Sequence, residues 1–568
     1  MKKDVYVSDP WWKNSVVYQV YPRSFFDFND DGVGDLKGLW AHASRLAALG
    51  IGAVWLSPVY VSPMRDNGYD IANYDAIDPT FGSLDDLDDV IDILHSLGIR
   101  LIMDLVVNHT SSDHPWFKES CDPDSPKRDW YIWRSRRSEC TPNEGAGPGE
   151  WRGDEPNQWR SAFSGPTWTW HEPSQSYYMH LFSPEQPDLN WENPELRQEI
   201  YAMMRRWLDR GVDGFRMDVI NLISKPENLY EDGPGGLDRA MFGPRFHEYM
   251  QEMRREVFDA YPDRTFLTVG ETPGATPDQA SLTTDPTRRE LDMVFQFEHM
   301  GLDSADGDKF HPKPLHLPDM KENLARWCRE LEGRGWNALY LSNHDQPRPV
   351  SRFGNDREYR HQSATAWGAM LHAHKGTPFV YQGEEIGMAN FPWESIDQFN
   401  DVETINYWRE CVELGGQDPT QVWPGIVAMS RDNARTPVQW ADLPHGGFGS
   451  SATPWLPVNP DYSQVNVSDQ ASDPNSTWCF YQTMIGLRDS YEILTEGSFE
   501  LLQAEDEHLW WVRREWHGEI LDAVANMSDE PYELALPEGE VLLANYPDAA
   551  EHRSTGVLRP WETVWIWR

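Results

Sequence analysis

The sequence predicts an α/β chain: a (β/α)8 TIM barrel with a small domain inserted after the third strand and an antiparallel β domain at the C-terminus. Three observations carry that expectation. Strand-length runs such as 100–107 are almost continuously apolar, and amphipathic helical stretches separate them, the pattern of a parallel sheet covered on both faces. Eight such runs lie before residue 383, and eight strands with intervening helices close most simply into a barrel. From about residue 495 the pattern changes to short alternating runs, which suit antiparallel strands.

In order, the first strand is read at 16–21, ended by Pro22. A turn follows in which Asp27, Asn29, Asp31 and Asp35 alternate with other residues around Gly32 and Gly34. Oxygen ligands at every second position resemble the start of a calcium loop, although no carboxylate between Lys37 and His42 closes a full one. The turn therefore reads as a structural Ca2+ or Mg2+ site, with a plain polar turn as its rival. A helix at 36–49 stops at Gly50, a strand fits 51–57, and a helix at 84–97 stops at Gly98. The remaining strands fit 213–218, 265–270, 291–297, 337–342 and 378–382, and the remaining helices 194–210, 244–260, 319–333 and 361–374. No dinucleotide-type glycine motif follows the first strand, which weighs against an open doubly wound sheet.

The stretch 110–180, rich in Pro, Gly, Ser, Trp and charge, is too long for a loop and reads as an excursion domain over one barrel face. A second long segment, 383–478, follows the eighth strand, and both are candidate walls of a site at the strands' C-terminal ends. The expected division is barrel 1–109, insertion 110–180, barrel 181–490 and β domain 491–568. In the last, strands are read at 508–513, 519–525, 531–536, 541–544 and 563–567.

The 568 residues carry 49 basic and 92 acidic side chains, a formal charge of −43 that disfavours nucleic acid and anionic membranes and leaves neutral small molecules acceptable. The 28 tryptophans hint at sugar stacking, though most tryptophans simply fill cores. Five scattered cysteines without C-x-x-C spacing argue against a disulfide framework or zinc site and suit a reducing cytoplasm. No signal peptide or spanning segment is read, no organic cofactor is implied, and a monomer is the expected state.

Polar residues collect where the strands end: Asp66 to Asp70 after the second, Asp104 to His109 at the third, Arg216 to Asp218 at the fourth, Glu271 at the fifth, and Asn343-His344-Asp345 at the seventh. In a barrel these converge on one point. Asp218 follows Arg216 by two residues, so the pair shares one side of a strand, and the arginine is placed to hold the carboxylate ionised. A structural Arg–Asp pair is the plain alternative. Glu271 follows an apolar strand, a setting that with a nearby Asp218 would keep it protonated. Two such carboxyls are the minimum for glycoside hydrolysis, with Asp345 free to grip sugar hydroxyls and the imidazoles of His109 and His344 able to donate to them.

With Asp104–His109, Gln186–Asn190, Gly214–Asn221, Val269–Gly274, Ser342–Arg348 and Asp432–Pro437 in view, the chain resembles the α-amylase family of glycoside hydrolases, in its oligo-1,6-glucosidase branch. The resemblance implies Asp218 as nucleophile, Glu271 as acid/base and Asp345 as transition-state stabiliser in a retaining mechanism, with the carboxyls about 5–5.5 Å apart. It also implies Tyr69 stacked on a glucose, His109, Arg216 and His344 bonded to its hydroxyls, and Asp66 paired with Arg435 to close the pocket's end. The implied metal ligands are the side chains of Asp27, Asn29, Asp31 and Asp35 and the Val33 carbonyl. Val219, next to the nucleophile, accompanies α-1,6 preference in such relatives, because a stiff branched side chain narrows the space for the leaving sugar.

Rival readings are an α-1,4-glucosidase, a transglucosylating or sucrose-isomerising relative, and a non-catalytic carbohydrate-binding homologue. Arg352-Phe353-Gly354-Asn355-Asp356 departs from the Arg-Leu-Asp-Arg-Asp of sucrose isomerases, and Val438 and Pro349 also depart from close relatives.

Overall fold

The computed structural model describes residues 10–137, 141–229, 235–450 and 452–568. The N-terminal stretch 1–9, read above for a leader, and Cys140 lie outside them. Eight parallel strands form the core: β1 (Val17–Val20), β2 (Ala53–Leu56), β3 (Arg100–Val106), β4 (Gly214–Asp218), β5 (Leu267–Glu271), β6 (Met293–Phe295), β7 (Ala338–Leu339) and β8 (Thr377–Tyr381). They pair in the order β6-β5-β4-β3-β2-β1-β8-β7. A parallel bridge between Val294 and Asn337 joins the two ends and closes the barrel. β6 and β7 are shorter than the 291–297 and 337–342 expected, because residues beyond them bend away to carry loops.

Each strand is followed by a helix: α1 (Leu36–Leu49), α2 (Leu84–Ser96), α3 (Pro194–Arg210), α4 (Phe246–Glu256), α5 (Pro277–Thr284), α6 (Leu317–Leu331), α7 (Arg360–His372) and α8 (Thr477–Ser490). Local chemistry marks their ends. Asp35 caps α1 by accepting from the Gly38 amide at 2.8 Å, and Gly50 ends it in the left-handed region. Ser83 and Asp86 form a reciprocal capping box on α2. α5 and α8 were not among the helices read from the sequence.

Register decides where the chemistry falls. Asp104 on β3 pairs with Arg216 on β4, and Val106 with Asp218. Gly270, one residue before Glu271, pairs with Met217. Arg216 and Asp218 are two apart and share one side, so β3, β4 and β5 deliver Asp104, Arg216, Asp218 and Glu271 to a common level.

In the insertion after β3, a three-stranded antiparallel sheet, Trp133–Arg134, Ser176–Met179 and Trp168–His171, has an apolar cluster of its own. That cluster includes Trp159, Trp168, Tyr177 and Met179, and reaches Val219 and Leu222 just beyond β4. At the C-terminus a five-stranded antiparallel sheet runs in the order Ser498–Leu502, Leu509–Trp516, Glu519–Asn526, Thr563–Trp567, Glu540–Ala544. The run expected at 531–536 contributes only Tyr532–Glu533, which pairs outside that sheet with Val557–Leu558. No helix among the described residues is long and apolar enough to cross a membrane.

Candidate active site

Arg216 is 1% exposed and is the hub of the barrel mouth. Its Nη1 donates to Asp218 Oδ1 at 2.7 Å and to Asp104 Oδ1 at 2.9 Å. Its Nη2 lies 2.6 Å from Glu271 Oε2. Asp104 Oδ2 accepts from Trp55 Nε1 and from the Tyr69 hydroxyl, both at 3.0 Å. The rings of Trp55 and Tyr69 also lie against the guanidinium, at 4.9 and 5.7 Å.

One cation thus faces three buried carboxyls. Burial raises Asp218 well above the usual carboxylate range; Arg216 opposes the shift, while Glu271 and Asp104 reinforce it. Arg216 divides its charge among three acids, and burial pushes Asp218 upward against the hold that the sequence assigns to the arginine.

Val219 leaves the strand at φ 35°, ψ 40°, a left-handed conformation that is rare for a β-branched residue and costs about 1–3 kcal/mol. The strained turn aims its amide at Glu271 Oε2, 3.0 Å away. The insertion's apolar cluster holds the side chain in place.

Asp345 sits on a turn whose amide donates to Asn343 Oδ1 at 2.8 Å. Burial works against its ionisation, yet His344, Arg431, Arg435 and Arg216 outweigh burial and keep it well below the usual range. His344 is itself pushed down to about 3 by burial, so at neutral pH the arginines carry the effect. Gln19 Nε2 lies 2.8 Å from His344 Nδ1, which leaves the imidazole proton on Nε2, 3.4 Å from Asp345 Oδ2. The His344 ring stacks on Tyr69 at 4.9 Å. His109 is pushed to about 4 by burial, and its Nε2 lies 3.1 Å from the Tyr69 carbonyl and 3.2 Å from Gln186 Nε2. Both imidazoles are therefore neutral at neutral pH.

The end-closing ion pair differs from expectation. Asp66 Oδ1 meets Arg431 Nη2 at 3.2 Å, and Asp66 Oδ2 accepts from Gln186 Nε2 at 3.0 Å. Arg435 instead donates from Nε to the His344 carbonyl at 3.0 Å, which turns its Nη2 onto Asp345 at 2.7 Å. Arg431, four residues earlier, extends across to Asp66 and also reaches Asp345 at 3.3 Å. Asp401 anchors it through Nε at 2.8 Å, and Phe163 lies under its guanidinium at 4.9 Å. Burial pushes Asp66 up to about 6, against the pull of Arg431 and Arg435.

Asp66, Tyr69, His109, Asp218, Val219, Glu271, Asp345 and Arg431 line a cavity of about 240 Å³, somewhat below the range of drug-sized ligands, while Arg216, His344 and Arg435 are not part of its lining. Phe163, Phe182, Gln186, Lys309, Gln346 and Glu403 complete its wall and were not assigned from sequence. Gln186 lies in a motif quoted above, and Arg431 stands one helical turn before Arg435, so both carried a signal. Lys309 comes from the hairpin strand Asp308–Pro312, Glu403 from the helix Val402–Trp408, and the two form an ion pair. A larger cavity, about 570 Å³, opens at the opposite barrel end beside Trp12, Leu291 and Asn337. Its acids Glu290 and Asp292 are already bonded by Arg288, Gln251 and Thr268.

In the turn before α1, Asp27 accepts from the amides of Asp30, Asp31 and Gly32, and Asp35 from those of Phe28, Asn29 and Gly38. Asn29 and Asp31 bond to each other at 3.1 Å. Among the described residues, no cluster of three or more His, Cys, Asp or Glu is arranged as a metal site. The donors are nevertheless hard oxygens of the kind that calcium and magnesium take. Burial raises both Asp27 and Asp35, and each also feels another carboxylate of the turn, a negative excess that a divalent cation would offset.

Residues 19–497 match the family model described as the alpha amylase catalytic domain. The chain is 49% identical over 567 residues to an oligo-1,6-glucosidase of Parageobacillus thermoglucosidasius, covering 97% of this chain and 98% of the relative. It is 42% identical to a trehalose-6-phosphate hydrolase of Escherichia coli, covering 98% of each. Among solved structures, a Bacillus licheniformis trehalose-6-phosphate hydrolase superposes with a TM-score of 0.91 at 38% identity, covering 98% of this chain and 100% of the other. A trehalulose synthase of Pseudomonas mesoacidophila superposes with 0.91 at 37% identity, covering 99% and 100%.

The Asp66 partner can be tested directly. Arg431→Ala removes its ion pair and is expected to raise Asp66 further above about 6, read by carboxyl NMR titration. An unchanged Asp66 titration would return the pairing to Arg435.

Proposed function

The chain belongs to the alpha-amylase family of glycoside hydrolases, and from that premise we propose that it is an exo-acting, retaining α-glucosidase. It removes glucose from the non-reducing end of isomalto-oligosaccharides by hydrolysing α-1,6 bonds, the activity named in several full-length relatives at 46–49% identity. The single observation that carries the reading is Arg216 gripping Asp218 and Glu271 together, so that both carboxyls face one anomeric carbon.

With a sugar bound between the two acids, Glu271 serves as the proton donor and Asp218, beside Arg216, as the anion. Glu271 gives that proton to the glycosidic oxygen as the bond to C1 breaks, and Asp218 attacks C1 to form a β-glucosyl ester. Glu271 then takes a proton from water, whose oxygen attacks C1 and releases α-glucose with Asp218 free again. Asp345, held anionic by Arg431 and Arg435, grips hydroxyls of the flattening ring. The neutral imidazoles of His109 and His344 bond hydroxyls without adding charge. Asp66, Arg431 and Gln186 bind the terminal glucose and block the pocket's far side, which is what makes the action exo.

Val219 supports the linkage preference, since its side chain lines the cavity beside the nucleophile. Free Cys121, Cys328, Cys411 and Cys479 support work in a reducing cytoplasm. The turn carrying Asp27, Asn29, Asp31, Val33 and Asp35 is proposed to hold a structural Ca2+ or Mg2+, and the working unit is taken to be the monomer.

A panel of isomaltose, panose, maltose, sucrose, trehalose and dextran tests the function, with isomaltose expected to be cleaved faster than maltose; the reverse order would sink the α-1,6 reading. Asp218→Asn and Glu271→Gln should each abolish turnover without changing the circular dichroism spectrum, and ordinary activity in either variant overturns the catalytic roles of these two acids. Val219→Ala should raise kcat/KM for maltose relative to isomaltose by roughly 10–200-fold, the worth of one or two methyl groups of fit. Calcium should raise the melting temperature of the EDTA-stripped protein, and no shift with either calcium or magnesium would remove the metal.

A further inference from the structure

Outside the cavity, two adjacent buried glutamates follow β8. Glu384 Oε2 accepts from the Ser342 hydroxyl at 2.8 Å, and its Oε1 from the Tyr481 hydroxyl of α8 at 3.0 Å. Glu385 Oε1 accepts from the Tyr18 hydroxyl of β1 at 2.9 Å, and its Oε2 from the Gly383 amide at 2.8 Å. These four donors are neutral. The nearby cation, Arg348, directs its guanidinium at the carbonyls of Gln382, Asn433 and Ala434.

The position of this pair matters because of what adjoins its partners. Ser342 immediately precedes Asn343-His344-Asp345. Tyr18 immediately precedes Gln19, whose amide meets His344 Nδ1. Glu384 and Glu385 thus tie together the end of β7, the end of β1 and α8, directly behind the turn that presents His344 and Asp345.

Resting on the function proposed above, we propose that Glu384 is a positioning residue of the hydrolytic reaction: through Ser342 it fixes the turn that aims Asp345 and His344 at the sugar ring. Asp345 acts most strongly on the flattened ring, so loss of this hold should lower kcat more than it raises KM. The hold is also sensitive to protonation. Burial pushes both glutamates up to about 7, Arg348 opposes the shift at Glu384, and the charge of Glu384 adds to it at Glu385. Tyr18 and Tyr481, which face the pair from β1 and α8, are raised well above their ordinary value by burial and stay neutral throughout. Below about 7 the pair keeps a proton; above it, two adjacent buried anions face neutral hydroxyls, backbone amides and one arginine. The folded-state values lie above those of exposed glutamate, so the arrangement is most stable at low pH and weakens as pH rises toward and through about 7.

The test compares the full-length wild type with Ser342→Ala, Glu384→Ala and Glu384→Gln, using isomaltose kinetics across pH and thermal melting. Ser342→Ala and Glu384→Ala should lower kcat by roughly 10- to 100-fold, the scale of a misplaced catalytic group, with KM moving less than kcat. Glu384→Gln, which retains the shape without the titration, should recover most of the kcat lost in Glu384→Ala and shift the alkaline limb of the kcat profile to higher pH. Folded Ser342→Ala with unchanged kcat overturns the proposal, as does an alkaline limb in Glu384→Gln identical to that of the wild type. A wild type that cleaves maltose in preference to isomaltose would refute the linkage assignment instead, and the same comparison would then be run on maltose.

Discussion

A single buried guanidinium organises this active site. Arg216 lies within hydrogen-bonding distance of Asp104, Asp218 and Glu271, three acids delivered by three neighbouring strands. Burying any one of them alone would cost several kcal/mol, and burying them with one arginine still leaves excess negative charge. The arrangement persists because the registers of β3, β4 and β5 fix the acids around the cation, while Trp55 and Tyr69 bond the outer oxygen of Asp104 and pack against the guanidinium.

The same balance bears on what the cavity accepts. Among the described residues that line it, both cations are already paired: Arg431 with Asp66, Asp345 and Asp401, and Lys309 with Glu403. The pocket therefore presents hydroxyl-bonding groups, the neutral imidazole of His109 and aromatic faces rather than a cation waiting for an anion. That matches a neutral sugar more closely than a phosphorylated one and accords with a chain of formal charge −43.

Much of this was legible in the sequence, and for a physical reason. Barrel strands buried on both faces must be apolar along their length, so a carboxylate within or at the end of such a run, as at Asp104 within β3 and at Asp218 and Glu271 at strand ends, stands out. α5 and α8 pack without a marked apolar stripe and went unseen, although α7, equally without one, was read. Lys309 and Glu403 arrive from a hairpin and a short helix in long connections, where spacing does not report direction. The exchange of Arg431 for Arg435 as partner of Asp66 turns on one hydrogen bond, from Arg435 Nε to the His344 carbonyl, which sequence spacing cannot encode. Nor could the left-handed Val219 be anticipated, since β-branched residues avoid that region unless the surrounding structure imposes it.

The central claim is that Asp218 bonds covalently to the sugar. Trapping the wild type with a 2-deoxy-2-fluoro or 5-fluoro α-glucosyl fluoride, followed by peptide mass spectrometry, addresses it directly. The account predicts one glucosyl adduct per chain, carried on the peptide spanning β4 and attached at Asp218. An adduct on a different carboxylate, or first-formed glucose of the β configuration from isomaltose, would contradict it.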